Sequence, residues 1–132
     1  MVINVSALLS GDYDFVEQDI RGVVEVAHAA GASVKVIFET AFLNDELIVK
    51  ACELTERAGA DYVKTSTGFA SEGATLHNVK LMKATVGDRL KVKSSGGVRT
   101  LDQLIDYMDA GVTRSGCSAT QQVLEEFIAK AQ

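Results

Sequence analysis

Short apolar runs recur along the chain, each followed by a polar or glycine-rich step and then by a longer stretch whose apolar residues repeat at helical spacing. Ala30-Gly31, Ala58-Gly59, Val86-Gly87 and Ala110-Gly111 each close a helical pattern just before an apolar run, at spacings of 28, 28 and 24 residues. That period fits a strand, a loop, a helix ending at a C-cap glycine, then the next strand. Strands are predicted near 2–8, 34–39, 62–66, 90–94 and 113–116. Helices are predicted over about 14–30, after Asn44 to Ala58, after Thr75, from Thr100 and over about 120–129. Asn44 is a good N-cap, and Thr100 with Gln103 three residues on reads as a capping box. Five successive βα units imply right-handed crossovers and a parallel sheet.

Five parallel strands do not close into a barrel, which takes eight strands and about 250 residues. The pattern fits either an open sheet with helices on both faces or a piece of a barrel. One domain over residues 1–132 is expected, with no linker.

Three lysines interrupt the apolar runs: Lys35, Lys64 and Lys93. A charge in a buried strand is costly unless it is paired or used. Lys35 comes four residues after its glycine, Lys64 five and Lys93 six. Lys64 and Lys93 therefore belong at the C-terminal ends of neighbouring strands, where parallel α/β folds place their sites. Lys35 falls at the opposite end and, with Lys91, reads as structural. A lysine attacks a carbonyl only when uncharged, which needs burial or a neighbouring cation; Lys93 is a plausible cation beside Lys64. From the pattern alone, snorkelling or ion pairing explains the two lysines equally well.

Two loops suit an anion. Ser94-Ser95-Gly96-Gly97-Val98-Arg99-Thr100 and Gly116-Cys117-Ser118-Ala119-Thr120 each lead from a strand into a helix N-terminus. Arg99 fits a phosphate partner or a surface residue equally well.

The chain has 47% apolar residues and a net charge of −5. That charge argues against a general affinity for nucleic acid or an anionic membrane. No apolar run reaches the roughly 20 residues of a membrane span, and no signal peptide is evident. Cys52 and Cys117 lack metal-ligand spacing, so no metal or other cofactor is expected; Cys52 borders an apolar helical stripe. A reduced, cytoplasmic protein is the simple expectation. His28 and His77 read as surface or cap residues. Helical charges such as Glu17 and Glu56 read as solvated faces.

Tyr62-Val63-Lys64-Thr65-Ser66-Thr67-Gly68-Phe69, followed by Gly73-Ala74-Thr75, resembles the Schiff-base segment of deoxyribose-phosphate aldolases. Val92-Lys93-Ser94-Ser95-Gly96-Gly97-Val98-Arg99-Thr100 is similar to that family's second-lysine segment, and residues 34–40 and 1–4 resemble its strands. The resemblance implies an α/β fold that is a partial (β/α)8 TIM barrel, the later five of eight units, with three N-terminal units missing. It implies a metal-free class I aldolase that reversibly cleaves 2-deoxy-D-ribose 5-phosphate to D-glyceraldehyde 3-phosphate and acetaldehyde. Lys64 would form the imine and Lys93 would lower its pKa. Thr67, Gly68, Gly96, Gly97, Gly116 and Ser118 would hold the substrate phosphate. In the family, an aspartate that serves proton transfer stands just before the residue matching Met1. Glu72 replaces a more usual glycine near the phosphate loop.

The expected partner is thus a small phosphorylated sugar or aldehyde. Exposed parallel edges invite pairing, so a homo-oligomer is also expected. The competing expectation is a non-catalytic, phosphate-binding or self-assembling fragment.

Overall fold

In the computed structural model, which describes residues 1–130, four parallel strands lie in the order β1-β2-β3-β4. They are β1 (Lys35–Ile37), β2 (Tyr62–Lys64), β3 (Lys91–Ser95) and β4 (Val112–Gly116). The helices are α1 (Val5–Leu9), α2 (Tyr13–Ala29), α3 (Asp45–Arg57), α4 (Leu76–Val86), α5 (Leu101–Asp109) and α6 (Thr120–Lys130). Strand order follows chain order without reversal. Right-handed crossovers that always advance in one direction put their helices on one side of the sheet. The doubly wound alternative is therefore excluded, and the arrangement is that of a barrel segment.

Val36, Val63 and Val92 are fully buried side by side on the helix-covered face. Against them pack Val16, Ile20 and Val24 of α2, Ile48 and Leu54 of α3, and Val79, Met82 and Val86 of α4. Each such side chain contributes about 1.5–3 kcal/mol on leaving water. The predicted caps form. Asn44 Oδ1 accepts from Leu47 N at 2.9 Å, Thr75 Oγ1 from Asn78 N at 3.1 Å, and Thr100 Oγ1 from Gln103 N at 3.3 Å. The Thr100 box is not reciprocal, because Gln103 Oε1 accepts from Arg99 N instead. Glu17 and Glu56 are more than solvated charges: Glu17 joins α2 to Arg57 of α3 at 2.7 Å, and Glu56 pairs with Arg89.

The predicted first strand is the main departure. Val2 makes a single parallel bridge to Ile37, with Ile3 N donating to Ile37 O and Ile37 N to Met1 O, both at 2.9 Å. Pairing stops there because Asn4 caps a helix, its Oδ1 accepting from Ala7 N at 2.9 Å. Val5–Leu9 is therefore helical, and the sheet has four strands plus this bridge. Val2 stays exposed while Ile3 is buried.

Candidate active site

The face of the sheet opposite the helices carries the lysines. Ile37, Lys64, Lys93 and Arg114 form one row across the four strands, and Lys35, Tyr62 and Lys91 form the row beside it. Alternation along each strand turns the valines one way and these residues the other. Lys64 pairs directly with Lys93, one interstrand spacing of about 4.8 Å away. The amine of Lys64 is held below the ordinary lysine value, chiefly by burial, then by the charges of Lys93 and Lys35, with Glu39 opposing them. Lys93 is lowered too, by burial and by Lys35 and Arg114.

Lys35 is the first residue of β1, at the strand end where it was expected. It nevertheless shares the face with Lys64, and its charge acts on both amines. Tyr62 organises that end of the face. Its ring lies 5.8 Å from Lys35 Nζ, 5.6 Å from Lys91 Nζ and 4.5 Å from the Arg114 guanidinium carbon. Such contacts hold cations against an aromatic ring that would otherwise face water.

A cleft of about 390 Å³ opens past the C-terminal ends of β2, β3 and β4. Thr67, Gly68, Gly96, Gly97, Gly116 and Ser118 all line it, together with Ser95, Val98, Arg99 and Cys117. The structure thus brings all six predicted anion-binding positions together. Among the described residues, the N–H groups of Gly96, Gly97, Cys117 and Ser118 donate to no protein acceptor. Gly96 and Gly97 take φ of +81° and +75°, where a side chain would be strained. A Cβ on Gly73 would fall 2.2 Å from Gly96 O, so the two loops meet backbone to backbone. Gly116 links cleft and amines: a Cβ there would lie 2.8 Å from Ser95 Oγ and 3.6 Å from Lys93 Cε.

Glu72 is exposed and outside the cleft lining, so its carboxylate does not stand in the anion path. His28 and His77 are exposed and pair with Asp61 and Asp45, each at 2.9 Å. Cys52 is fully buried, and burial pushes its thiol up to about 12. Among the described residues, no group of three His, Cys, Asp or Glu side chains is arranged to hold a metal ion. Among the described residues, no helix is long and apolar enough to cross a membrane.

Two residues escaped the reading of the sequence. Glu39 is buried, and its carboxylate accepts from both donors of Thr67. The one available signal was a carboxylate closing the apolar run Val34–Phe38. Ser66, two residues past Lys64, is fully buried with its hydroxyl unpartnered among the described residues.

The profile of the DeoC/LacD family aldolases matches residues 1–119. This chain belongs to that family. Deoxyribose-phosphate aldolases from Aciduliprofundum boonei and Staphylococcus epidermidis are 52% and 54% identical to it over 125 residues, which is 95% of this chain and 56% of each relative. The aldolase QR15 superposes with a TM-score of 0.89 at 44% identity, over 98% of this chain and 58% of its own. A tetrameric deoxyribose phosphate aldolase from Aeropyrum pernix superposes with a TM-score of 0.82 at 33% identity, over 89% of this chain and 51% of its own. The chain therefore spans about half the length of the aldolases it matches, in keeping with a partial barrel.

Proposed function

We propose that this chain carries the imine-forming part of a class I aldolase acting on 2-deoxy-D-ribose 5-phosphate. The observation that carries the reading is the depressed amine of Lys64 opposite Lys93, next to a cleft lined by glycines and unpaired N–H groups. The uncharged amine of Lys64 adds to the C1 aldehyde. Loss of water leaves an imine, whose protonated form is an electron sink. The C2–C3 bond then breaks as the C3 hydroxyl gives up its proton to water, and the bonding pair passes into the protonated imine to leave an enamine. D-Glyceraldehyde 3-phosphate leaves, and the two-carbon enamine is protonated and hydrolysed to acetaldehyde, freeing Lys64. Burial first, and then the charge of Lys93, lower the pKa of Lys64 and so favour its uncharged form. The substrate phosphate sits in the cleft on N–H groups of Gly96, Gly97 and Ser118, with Gly116 leaving space. Thr67 and Gly68 form the opposite wall.

The test is reductive trapping. The chain is incubated with deoxyribose 5-phosphate or acetaldehyde, reduced with borohydride and mapped by mass spectrometry. An adduct on Lys64 supports the reading, and none on any lysine overturns it. Turnover is expected to be weak for this chain alone, because an acid–base group is worth about 10² to 10⁴ in rate and, among the described residues, no carboxylate forms an ion pair with Lys64 or Lys93, the nearby Glu39 being held by Thr67. Turnover matching a complete family member would refute that part.

A second reading, a phosphate-binding module that assembles through its edges, is favoured by the β4 edge. There Met108 is exposed beside a groove lined by Leu104, Val112 and Thr113, and Leu124, Phe127 and Ile128 of α6 are exposed as well. We infer a homo-oligomer from this surface, and the tetrameric relative fits that inference. A monodisperse monomer by light scattering at micromolar concentration counts against it. Both cysteines are free, which suits the cytoplasm.

A further inference from the structure

Glu39 stands two residues past Ile37, the strand neighbour of Lys64. It is the one non-glycine among the described residues with positive φ, at 54° with ψ 65°. A long side chain there is uncommon and costs energy, and so does a buried carboxylate. Conformations of this kind persist where surrounding contacts over-determine them, often at functional sites. The contacts here are specific. Thr67 N donates to both carboxylate oxygens at 3.3 Å, and Thr67 Oγ1 donates to Oε2. Thr67 Oγ1 in turn accepts from Phe69 N at 3.2 Å, which pins the turn around Gly68 at φ +100°.

That turn is one wall of the cleft. It also continues directly from Lys64. Between the two, Thr65 is locked to its neighbours: its O accepts from Thr40 N at 3.0 Å, and its Oγ1 accepts from Ser95 N at 3.1 Å and donates to Ser95 O at 3.2 Å. Both donors of Thr67 point at Glu39, so Thr67 shapes the cleft and does not donate into it.

We propose that Glu39 is a positioning residue: by taking both donors of Thr67 it sets the Thr67–Gly68 wall to the shape of a phosphate ester. The inference rests on the imine-forming reading of Lys64 for its substrate, but not for its test. The hydrogen bonds of the Glu39 carboxylate go to Thr67, and it forms no ion pair with Lys64. Bare acetaldehyde, which has no phosphate to seat, should depend on it far less than deoxyribose 5-phosphate does.

Two variants separate the contributions. Glu39→Gly accepts the left-handed backbone and removes the acceptor; Glu39→Gln keeps an acceptor oxygen and removes the charge. With Glu39→Gly, half-maximal trapping by deoxyribose 5-phosphate should need about tenfold more ligand, while the acetaldehyde requirement moves less than about twofold. Glu39→Gln should restore most of that loss. Lys64 is faced by the charges of Lys93, Lys35 and Glu39 and lies near the Met1 ammonium, so loss of the one carboxylate should move the pH midpoint of acetaldehyde trapping downward in both variants. Equal losses for both substrates, with a lowered Tm, mark a purely structural role and overturn the proposal. If the unsubstituted chain forms no adduct, the imine reading fails, and Glu39 is judged on inorganic phosphate binding by calorimetry. Weaker binding by about tenfold in Glu39→Gly upholds the proposal; equal binding, or none in the parent chain, overturns it.

Discussion

Lys64 lies directly opposite Lys93 in the parallel ladder between β2 and β3, and both amines are held below the ordinary lysine value. Burial is the main cause at both, and the charge of Lys93 adds to it at Lys64. Lys93→Met removes the largest charge acting on Lys64, so the pH midpoint of Lys64 trapping should rise. At pH values well below the midpoint, the reactive fraction should fall about tenfold for each unit of that rise. Lys93→Arg keeps the charge and should hold the midpoint low. Trapping with acetaldehyde as a function of pH checks both.

The same depression predicts how stability changes with pH. The Lys64 amine binds its proton less readily in the folded chain than at the ordinary value of 10.5. Between the two values the unfolded chain holds more protons, so stability rises with pH across that window and is lower below it. Lys64→Met removes the penalty. It should raise the urea midpoint near pH 7, and the gain should shrink as the pH approaches 10.5. A gain independent of pH would show that packing, not charge, is responsible.

Gly73 and Gly22 should respond to alanine in opposite directions. At Gly73 the new Cβ meets the carbonyl of Gly96 at 2.2 Å, and backbone gives way at a cost of about 3 kcal/mol or more. At Gly22, inside α2, nothing lies within 4 Å, and alanine should stabilise by about 0.5–1 kcal/mol. Urea unfolding measures both.

Gly116→Ala tests the junction between amines and cleft. Its Cβ presses on the Ser95 hydroxyl, which can rotate, and reaches Lys93 Cε. The stability cost should be about 1 kcal/mol or less. Half-maximal trapping by deoxyribose 5-phosphate should require about tenfold more ligand, because the cleft narrows where the phosphate enters. Unchanged trapping would separate Gly116 from the phosphate site.

Much of the architecture follows from local residue choice. Glycines at 31, 59, 87 and 111 take positive φ where helical patterns stop, and Asn44, Thr75 and Thr100 cap the helices that they precede. These signals act within a few residues, so the chain announces them directly. The exception proves local as well: Asn4 turns an apolar stretch that resembles a strand into α1. The two glycine loops are legible as anion-binding segments, whereas Thr67 and Gly68 enter only through the motif resemblance, because nothing in their own segment shows that it converges on the other two.

Pairing across the sheet decided the remainder. Strand order 1-2-3-4 put the crossover helices α3, α4 and α5 on one face and left the other to the lysines, a choice that the period of the βα units leaves open. Register placed Lys35 on the face of Lys64 and Lys93, although its position in the strand set it apart. Glu39 shows the limit most clearly. Its backbone conformation and its burial both depend on Thr67, 28 residues further along, and no window around residue 39 contains that contact. Residues far apart in the chain meet only when the sheet assembles, so the charges that tune Lys64 belong to the fold and not to any one segment.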